Sequence, residues 1–419
     1  MLLSGGRVLR RGYGALMARR AKQDIPRTLD ALTPAWLDRS LRAGSVVSGP
    51  AITGFEVEKL GEGEGFMGET ARLHLARAAG AGPEAGPRTV IVKIPTAVRR
   101  LRGAGESLGI YEREILFYQD LARDFPVRVP RCYFAAMDPR PFGGPENDLA
   151  NVALLEKVPH WLLSLLIWLG PLIALFSRRR YVLILEDLAP ARLGDQVSFT
   201  PRADIEGAVD SLALMHARFW NDAAAAGRAW INPSDVGASL SGFLVKRQRK
   251  RFLSMFRESL PADIEARLDW LQHNMTPVQT EMADPPCTLL HGDYRLDNLF
   301  FDDGDPTARA IVSDWQVPNW GRGVMDLAYF LSGTLEANSP AGSDRVFVER
   351  YHAALVAHGV TGYPLETCLA DYERALLVAL LRVVTTFAEI EHQNPRAREL
   401  FRLWVERVFA LVPATGPTP

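Results

Sequence analysis

Apolar and polar positions repeat differently in the two parts of this chain. Up to about residue 190 the apolar runs are short and strand-like. Val90-Ile91-Val92-Lys93-Ile94 is a β-branched run, Arg131 to Ala136 reads as extended, and Tyr181-Val182-Leu183-Ile184-Leu185 runs into Glu186-Asp187-Leu188. Two alternating runs flank the glycine-rich stretch Leu60 to Gly68, which predicts a hairpin, and Gly80 to Pro87 is a loop between early strands. Ile110 to Leu121 carries Leu, Ile and aromatic residues at helical spacing. Beyond residue 190 helical periodicity dominates: Ala203 to Asn221, Leu240 to Ser259, Ile264 to His273, Ser343 to His358, Pro364 to Gln393 and Pro395 to Leu411. Short strands interrupt it at Cys287–Leu290, Leu299–Phe301 and Ala310–Val312, with a turn at Asp302–Pro306. The pattern predicts an α+β chain of two lobes: a small antiparallel-sheet N-lobe over residues 26–189 and a mostly helical C-lobe over 190–419.

Composition narrows the class. A chain of 419 residues with 47% hydrophobic content can bury two cores. A net charge of -1 excludes the basic excess of a nucleic-acid binder. Cys132, Cys287 and Cys368 share no metal or redox spacing and read as thiols in a reducing, cytoplasmic setting. Residues 1–25 form a basic tail expected to be disordered; an organellar presequence and a start at Met17 are the competing readings.

One segment departs from a plain soluble pattern. Val158 to Ser177 holds no Asp, Glu, Lys or Arg and is followed by Arg178-Arg179-Arg180. Its length matches a membrane span, yet the strands on either side must share one sheet, and a single crossing would separate them. Gly170-Pro171 instead suggests a hairpin of two short helices, covered by the protein's own surface, the substrate, a membrane leaflet or a second copy of the chain. Ser241 to Arg257 is a helix rich in Lys and Arg, read first as a solvated face and otherwise as a contact for an anionic substrate or lipid headgroups.

The candidate chemistry centres on His291-Gly292-Asp293-Tyr294-Arg295-Leu296-Asp297-Asn298 and on Asp314, which ends the strand of Ala310-Ile311-Val312. An Asp, an Asn five residues on and a second Asp at a strand end suit phosphoryl transfer from a magnesium nucleotide. Asp293 would accept the proton of the attacking hydroxyl, while Asn298 and Asp314 would offer oxygen ligands to Mg2+. Gly63 and Gly65 would let backbone approach phosphates, although such a hairpin is also an ordinary turn. Lys93 inside a central strand would touch phosphate; a Lys snorkelling from an edge strand is the alternative. Glu114 shares a helix face with Phe117, Tyr118 and Leu121, whereas Glu112 lies about 160° away, so Glu114 is the expected partner of Lys93. Glu186 and Leu188 fit a hinge that offers backbone groups to adenine. Arg295 is read as pairing with Asp297 or Asp302, and His216 as a hydrogen-bonded core histidine.

These residues, with Asp314-Trp315-Gln316, Leu185-Glu186-Asp187-Leu188, Leu214-Met215-His216-Ala217 and Asp326-Leu327-Ala328-Tyr329-Phe330-Leu331, make the chain resemble the aminoglycoside phosphotransferase and choline kinase superfamily, and within it the ecdysteroid kinase-like branch. The resemblance runs from about Leu32 to about Val412. It implies a two-lobed protein-kinase-like fold, ATP and Mg2+ as cofactors, and a small-molecule hydroxyl as acceptor; the apolar Val158 to Ser177 segment points to a hydrophobic one, a sterol-like alcohol or hydroxy acid. It implies the roles above for Asp293, Asn298, Asp314, Lys93 and Glu114, and for Asp326 a buried anchor of the catalytic loop. Tyr294 to Asp297 depart from the residues that aminoglycoside kinases carry there, which argues against an antibiotic acceptor. The competing functions are a nucleotide-binding pseudokinase and an antibiotic kinase.

Overall fold

The computed structural model describes residues 25–47, 49–61, 68–80, 86–140, 144–145, 148–165, 179–303, 310–386 and 395–412. The basic tail through Asp24, Gly63 and Gly65, and Leu166 to Ser177 of the apolar segment lie outside them. The described residues fall into two compact units, one within Met1–Arg123, Pro130–Gly144 and Ile167–Asp187, the other within Asp124–Val129, Pro145–Leu166 and Leu188–Pro419.

The first unit is built on one antiparallel sheet. Its strands β1 (Ile52–Leu60), β2 (Gly68–Arg77), β3 (Thr89–Pro95), β4 (Cys132–Met137) and β5 (Tyr181–Glu186) lie in the order β1-β2-β3-β5-β4. Alternation along β3 sends Val90, Val92 and Ile94 into a core shared with helix α1 (Pro34–Ala43). Trp36 of α1 meets Phe134 of β4 edge to face at 5.6 Å. Helix α1 starts where Thr33 accepts a hydrogen bond from the Trp36 backbone at 3.2 Å and Pro34 takes the first turn. By the same alternation Lys93 points to the opposite face of the sheet. Helix α2 (Arg99–Ser107) and helix α3 (Ile110–Asp120) follow β3, and α3 buries Ile115, Leu116 and Phe117.

The second unit is mostly helical. Its main helices are α4 (Asp148–Leu155), α5 (Arg202–Arg218), α6 (Ser241–Phe256), α7 (Ile264–Ala283), α8 (Val324–Thr334), α9 (Arg345–Ala357), α10 (Leu365–Thr386) and α11 (Pro395–Leu411). Two small sheets complete it. In one, β6 (Arg192–Leu193) and β10 (Ile311–Val312) flank β9 (Leu299–Phe301); in the other, β7 (Asn232–Pro233) and β8 (Thr288–Leu290) flank β11 (Asn319–Gly321).

The α+β class expected from the periodicity is therefore the class observed. The division is not a single cut at residue 189. Asp124–Val129 groups with the second unit, where Phe125 packs on Trp315 at 4.9 Å and on Phe219 at 5.6 Å, and the Arg128 carbonyl accepts from the Val312 backbone at 2.9 Å. Pro145–Leu166 also groups there rather than with the sheet, and the His160 ring meets Phe243 of α6 at 4.9 Å. Helix α7 runs ten residues past the expected end at His273, through Pro277. Pro277 and His273 are both exposed, so the carbonyl that loses its helical partner faces water, while Met275 and Met282 hold the buried side.

Candidate active site

In the first unit Lys93 of β3 reaches Glu114 of α3, Nζ to Oε1 at 2.6 Å, and the Glu114 side chain is buried. Glu112, equally buried, is held by other cations: Arg140 at 2.6 Å and Arg179 at 3.3 Å. The two acids thus sit on separate faces of α3, as the 100° rotation per residue requires. Glu186 ends β5 with its carboxylate accepting from the Arg131 backbone at 3.0 Å, and its own N–H donates to the Arg131 carbonyl at 2.8 Å. Leu188, which groups with the second unit, is buried, and its carbonyl accepts from Ala191 at 2.8 Å.

In the second unit the loop from β8 to β9 carries Asp293. Gly292 turns the backbone at φ 79°, and a Cβ there would collide with the Val317 carbonyl, so no other residue serves. The buried Asp326 of α8 accepts from two consecutive loop amides, His291 at 2.6 Å and Gly292 at 2.9 Å. That is the anchoring role implied by the resemblance. His291 donates from Nε2 to the Ser313 carbonyl at 2.9 Å, and its Nδ1 accepts from the Asp293 backbone at 3.2 Å, which sets the tautomer. Trp315 packs edge-on against the same ring at 4.6 Å. Further along, Tyr294 is fully buried with its hydroxyl on the Ala208 carbonyl at 2.7 Å, and Asp297 accepts from the Gln196 backbone at 3.1 Å. Fixed at five points, the loop offers little freedom to Asp293.

Four side chains meet the Asp293 carboxylate. Tyr329 donates to Oδ1 at 3.0 Å, Asn298 Nδ2 to Oδ2 at 3.1 Å and Arg295 Nε to Oδ2 at 3.4 Å, while Arg382 stands 3.8 Å from Oδ1. Burial pushes this carboxyl up, but Arg295 and Arg382 outweigh burial and hold it below the usual carboxylate range. Arg295 also bonds Asp297 at 2.8 Å. Burial and the adjacent Asp293 raise the Tyr329 phenol, which keeps it a donor. His216 is fully buried with Nδ1 on the Tyr351 hydroxyl at 2.8 Å; burial lowers its proton affinity, in keeping with a core histidine.

Asn298 and Asp314 come together through the β9–β10 ladder. Leu299 pairs with Val312, so Asn298 lies opposite Ser313, whose N–H and hydroxyl both bond the Asn298 carbonyl at 2.9 Å. Asp314 follows in a left-handed backbone, φ 67°, a conformation that re-aims the side chain at the strand end. Asn298 Nδ2 donates to the Asp293 carbonyl at 2.9 Å as well as to Oδ2, which commits both amide hydrogens and leaves Oδ1 as the group for a ligand. Among the described residues no three His, Cys, Asp or Glu side chains form a metal cluster. Two hard oxygen donors with the rest supplied by phosphate and water is a set that suits magnesium.

The sequence reading named neither Tyr329 nor Arg382 as part of this constellation. Tyr329 lies three residues after Asp326 on α8, a spacing that puts both on one face, so its signal was present. Arg382 comes from the middle of α10, and nothing local marks it. Its guanidinium lies 4.3 Å over the Tyr329 ring and bonds the Gly292 carbonyl.

Residues 167–360 match the model of the ecdysteroid kinase-like family, the branch that the sequence motifs resemble. Among curated proteins, acyl-CoA dehydrogenase family member 11 of Gallus gallus is 31% identical over 87 residues, 20% of this chain. The chain spans about a tenth of the length of that protein. Among solved structures, a choline kinase from Cryptosporidium parvum is 9% identical, covering 84% of this chain and 88% of its own, with a TM-score of 0.47. The GDP complex of an aminoglycoside 2'-phosphotransferase is 13% identical, covering 90% and 99%, with a TM-score of 0.48. An ethanolamine kinase from Plasmodium vivax is 11% identical, covering 85% and 80%, with a TM-score of 0.39.

Proposed function

We propose that this protein transfers a phosphoryl group from ATP to the hydroxyl of a small hydrophobic acceptor. The observation that carries the reading is the loop in which Asn298 bonds Asp293 and stands beside Asp314 through Ser313. Asp293, kept ionised by its cations, takes the proton of a hydroxyl set against it; in a loose transition state that proton leaves late, which suits a base of low proton affinity. Lys93, steadied by Glu114, would hold phosphate oxygens, and the Glu186–Leu188 stretch would offer Glu186 C=O and Leu188 N–H to the base. Asn298 and Asp314 would hold Mg2+, which when bound neutralises charge on the transferring group. Arg382 supports an acceptor with an acid group near its hydroxyl, because its guanidinium is partly exposed next to Asp293. That favours a hydroxy acid over a plain sterol-like alcohol.

The test is incubation of the full chain with ATP, magnesium and a pool of lipophilic alcohols and hydroxy acids, read by the mass gain of one phosphoryl group. A phosphorylated hydroxy acid supports the reading. Tight nucleotide binding without turnover on any acceptor would instead make the protein a nucleotide-binding regulator.

A further inference from the structure

The polar face of helix α6 and the apolar segment before it meet in one surface that the phosphotransfer reading does not use. Between Leu149 and Leu165 the chain has one acid, Glu156, and one base, Lys157. Five large apolar side chains of this stretch are exposed: Leu149, Leu154, Leu155, Trp161 and Leu165, with Trp161 71% and Leu154 65% accessible. An apolar ridge of this kind on a folded protein marks a contact surface. Helix α6 buries Val245, Gln248, Phe252 and Phe256 on one side. Phe243, Lys246, Arg247 and Lys250 lie opposite, on an arc of about 100° at helical spacing. Phe243 is the residue that stacks on His160 at 4.9 Å. The ridge is therefore seated against the basic side of α6, and Lys246, Arg247, Lys250 and Arg251 are exposed beside it. Helix α6 has no acid of its own, and Arg249 pairs with Glu265 and Asp269 of α7.

We propose that this surface binds the face of an anionic lipid bilayer. Trp and Leu side chains on one element with Lys and Arg on the adjoining one give the two signals that peripheral attachment needs, insertion at the headgroup boundary and attraction to negative headgroups. No helix among the described residues is long and apolar enough to cross a membrane. Charge selects this occupant, because a second copy of the chain would bring the same cations against these.

The experiment is flotation of the full chain with vesicles of phosphatidylcholine alone and of phosphatidylcholine mixed with phosphatidylserine. Binding is expected only to the mixed vesicles and weakens as salt is raised. The triple variant Lys246→Gln, Lys250→Gln, Arg251→Gln should bind roughly a hundredfold more weakly. The pair Trp161→Ser, Leu165→Ser should bind at least about tenfold more weakly. Both replace exposed side chains outside the candidate active site, so melting temperature and ATP turnover serve as controls for folding. Failure of the parent chain to float, equal flotation of both variants, or a dimer in solution that Trp161→Ser dissociates would overturn the proposal.

Discussion

Replacing Asp326 by Asn removes the charge that anchors the candidate catalytic loop while keeping the shape of the side chain. Its two oxygens accept from the backbone amides of His291 and Gly292 at 2.6 and 2.9 Å. An amide has one oxygen, so either rotamer leaves one of these N–H groups facing an NH2 donor. A hydrogen bond to a charged acceptor contributes about 1.5–3 kcal/mol, and a buried unsatisfied donor costs about 1–3 kcal/mol. The combined loss is about 3–5 kcal/mol, less what is regained because a buried carboxylate, with His216 Nε2 3.5 Å away, no longer has to be desolvated. For a protein of this size, whose unfolding entropy is about 0.9 kcal/mol/K, that corresponds to a fall in Tm of roughly 3–6 °C. A displacement of the loop by about 1 Å would further cut transfer by about a hundredfold. The assay is a thermal melt together with kcat and ATP KM measured well below the variant's midpoint, so that unfolding does not masquerade as lost catalysis. A variant that melts within 2 °C of the parent and turns over within about twofold of it would refute the anchoring argument, because both N–H groups would then have found other partners.

Two further substitutions address neighbouring parts of the site. Lys93→Met should lower turnover with the fold intact, and Glu114→Gln should do so more mildly, since Glu114 acts through Lys93; steady-state rates that fall for Glu112→Gln but not for Glu114→Gln would assign the wrong helix face. Arg382→Gln should raise KM for a hydroxy acid by about tenfold or more while leaving KM for a plain alcohol nearly unchanged, since it removes one charge-assisted contact; equal shifts for both acceptors would refute acid recognition by Arg382.

Much of this arrangement was legible because it is local. The β-branched run around Lys93, the Gly292 turn and the Asp293–Asn298 spacing are each written within a few residues, and helical rotation alone separates Glu114 from Glu112. The start of α1 is also local, in Thr33-Pro34. Other features have no local signature. Arg382 reaches Gly292 across 90 positions, and Phe125 meets Trp315 from about 190 positions upstream. Pro277 carried the opposite signal: it marks a helix end in sequence, and only its exposed position lets α7 continue. The assignment of Pro145–Leu166 to the helical unit likewise depends on a ring contact with α6 that hydrophobicity along the chain does not encode.

The most direct test of the central claim is the Asp293→Asn variant, assayed for phosphoryl transfer to a hydroxyl acceptor and for nucleotide binding on the same preparation. The account predicts transfer reduced by about a hundredfold or more with ATP affinity nearly intact, because the carboxylate serves as the base and binds no nucleotide. Transfer at close to the parent rate would contradict it.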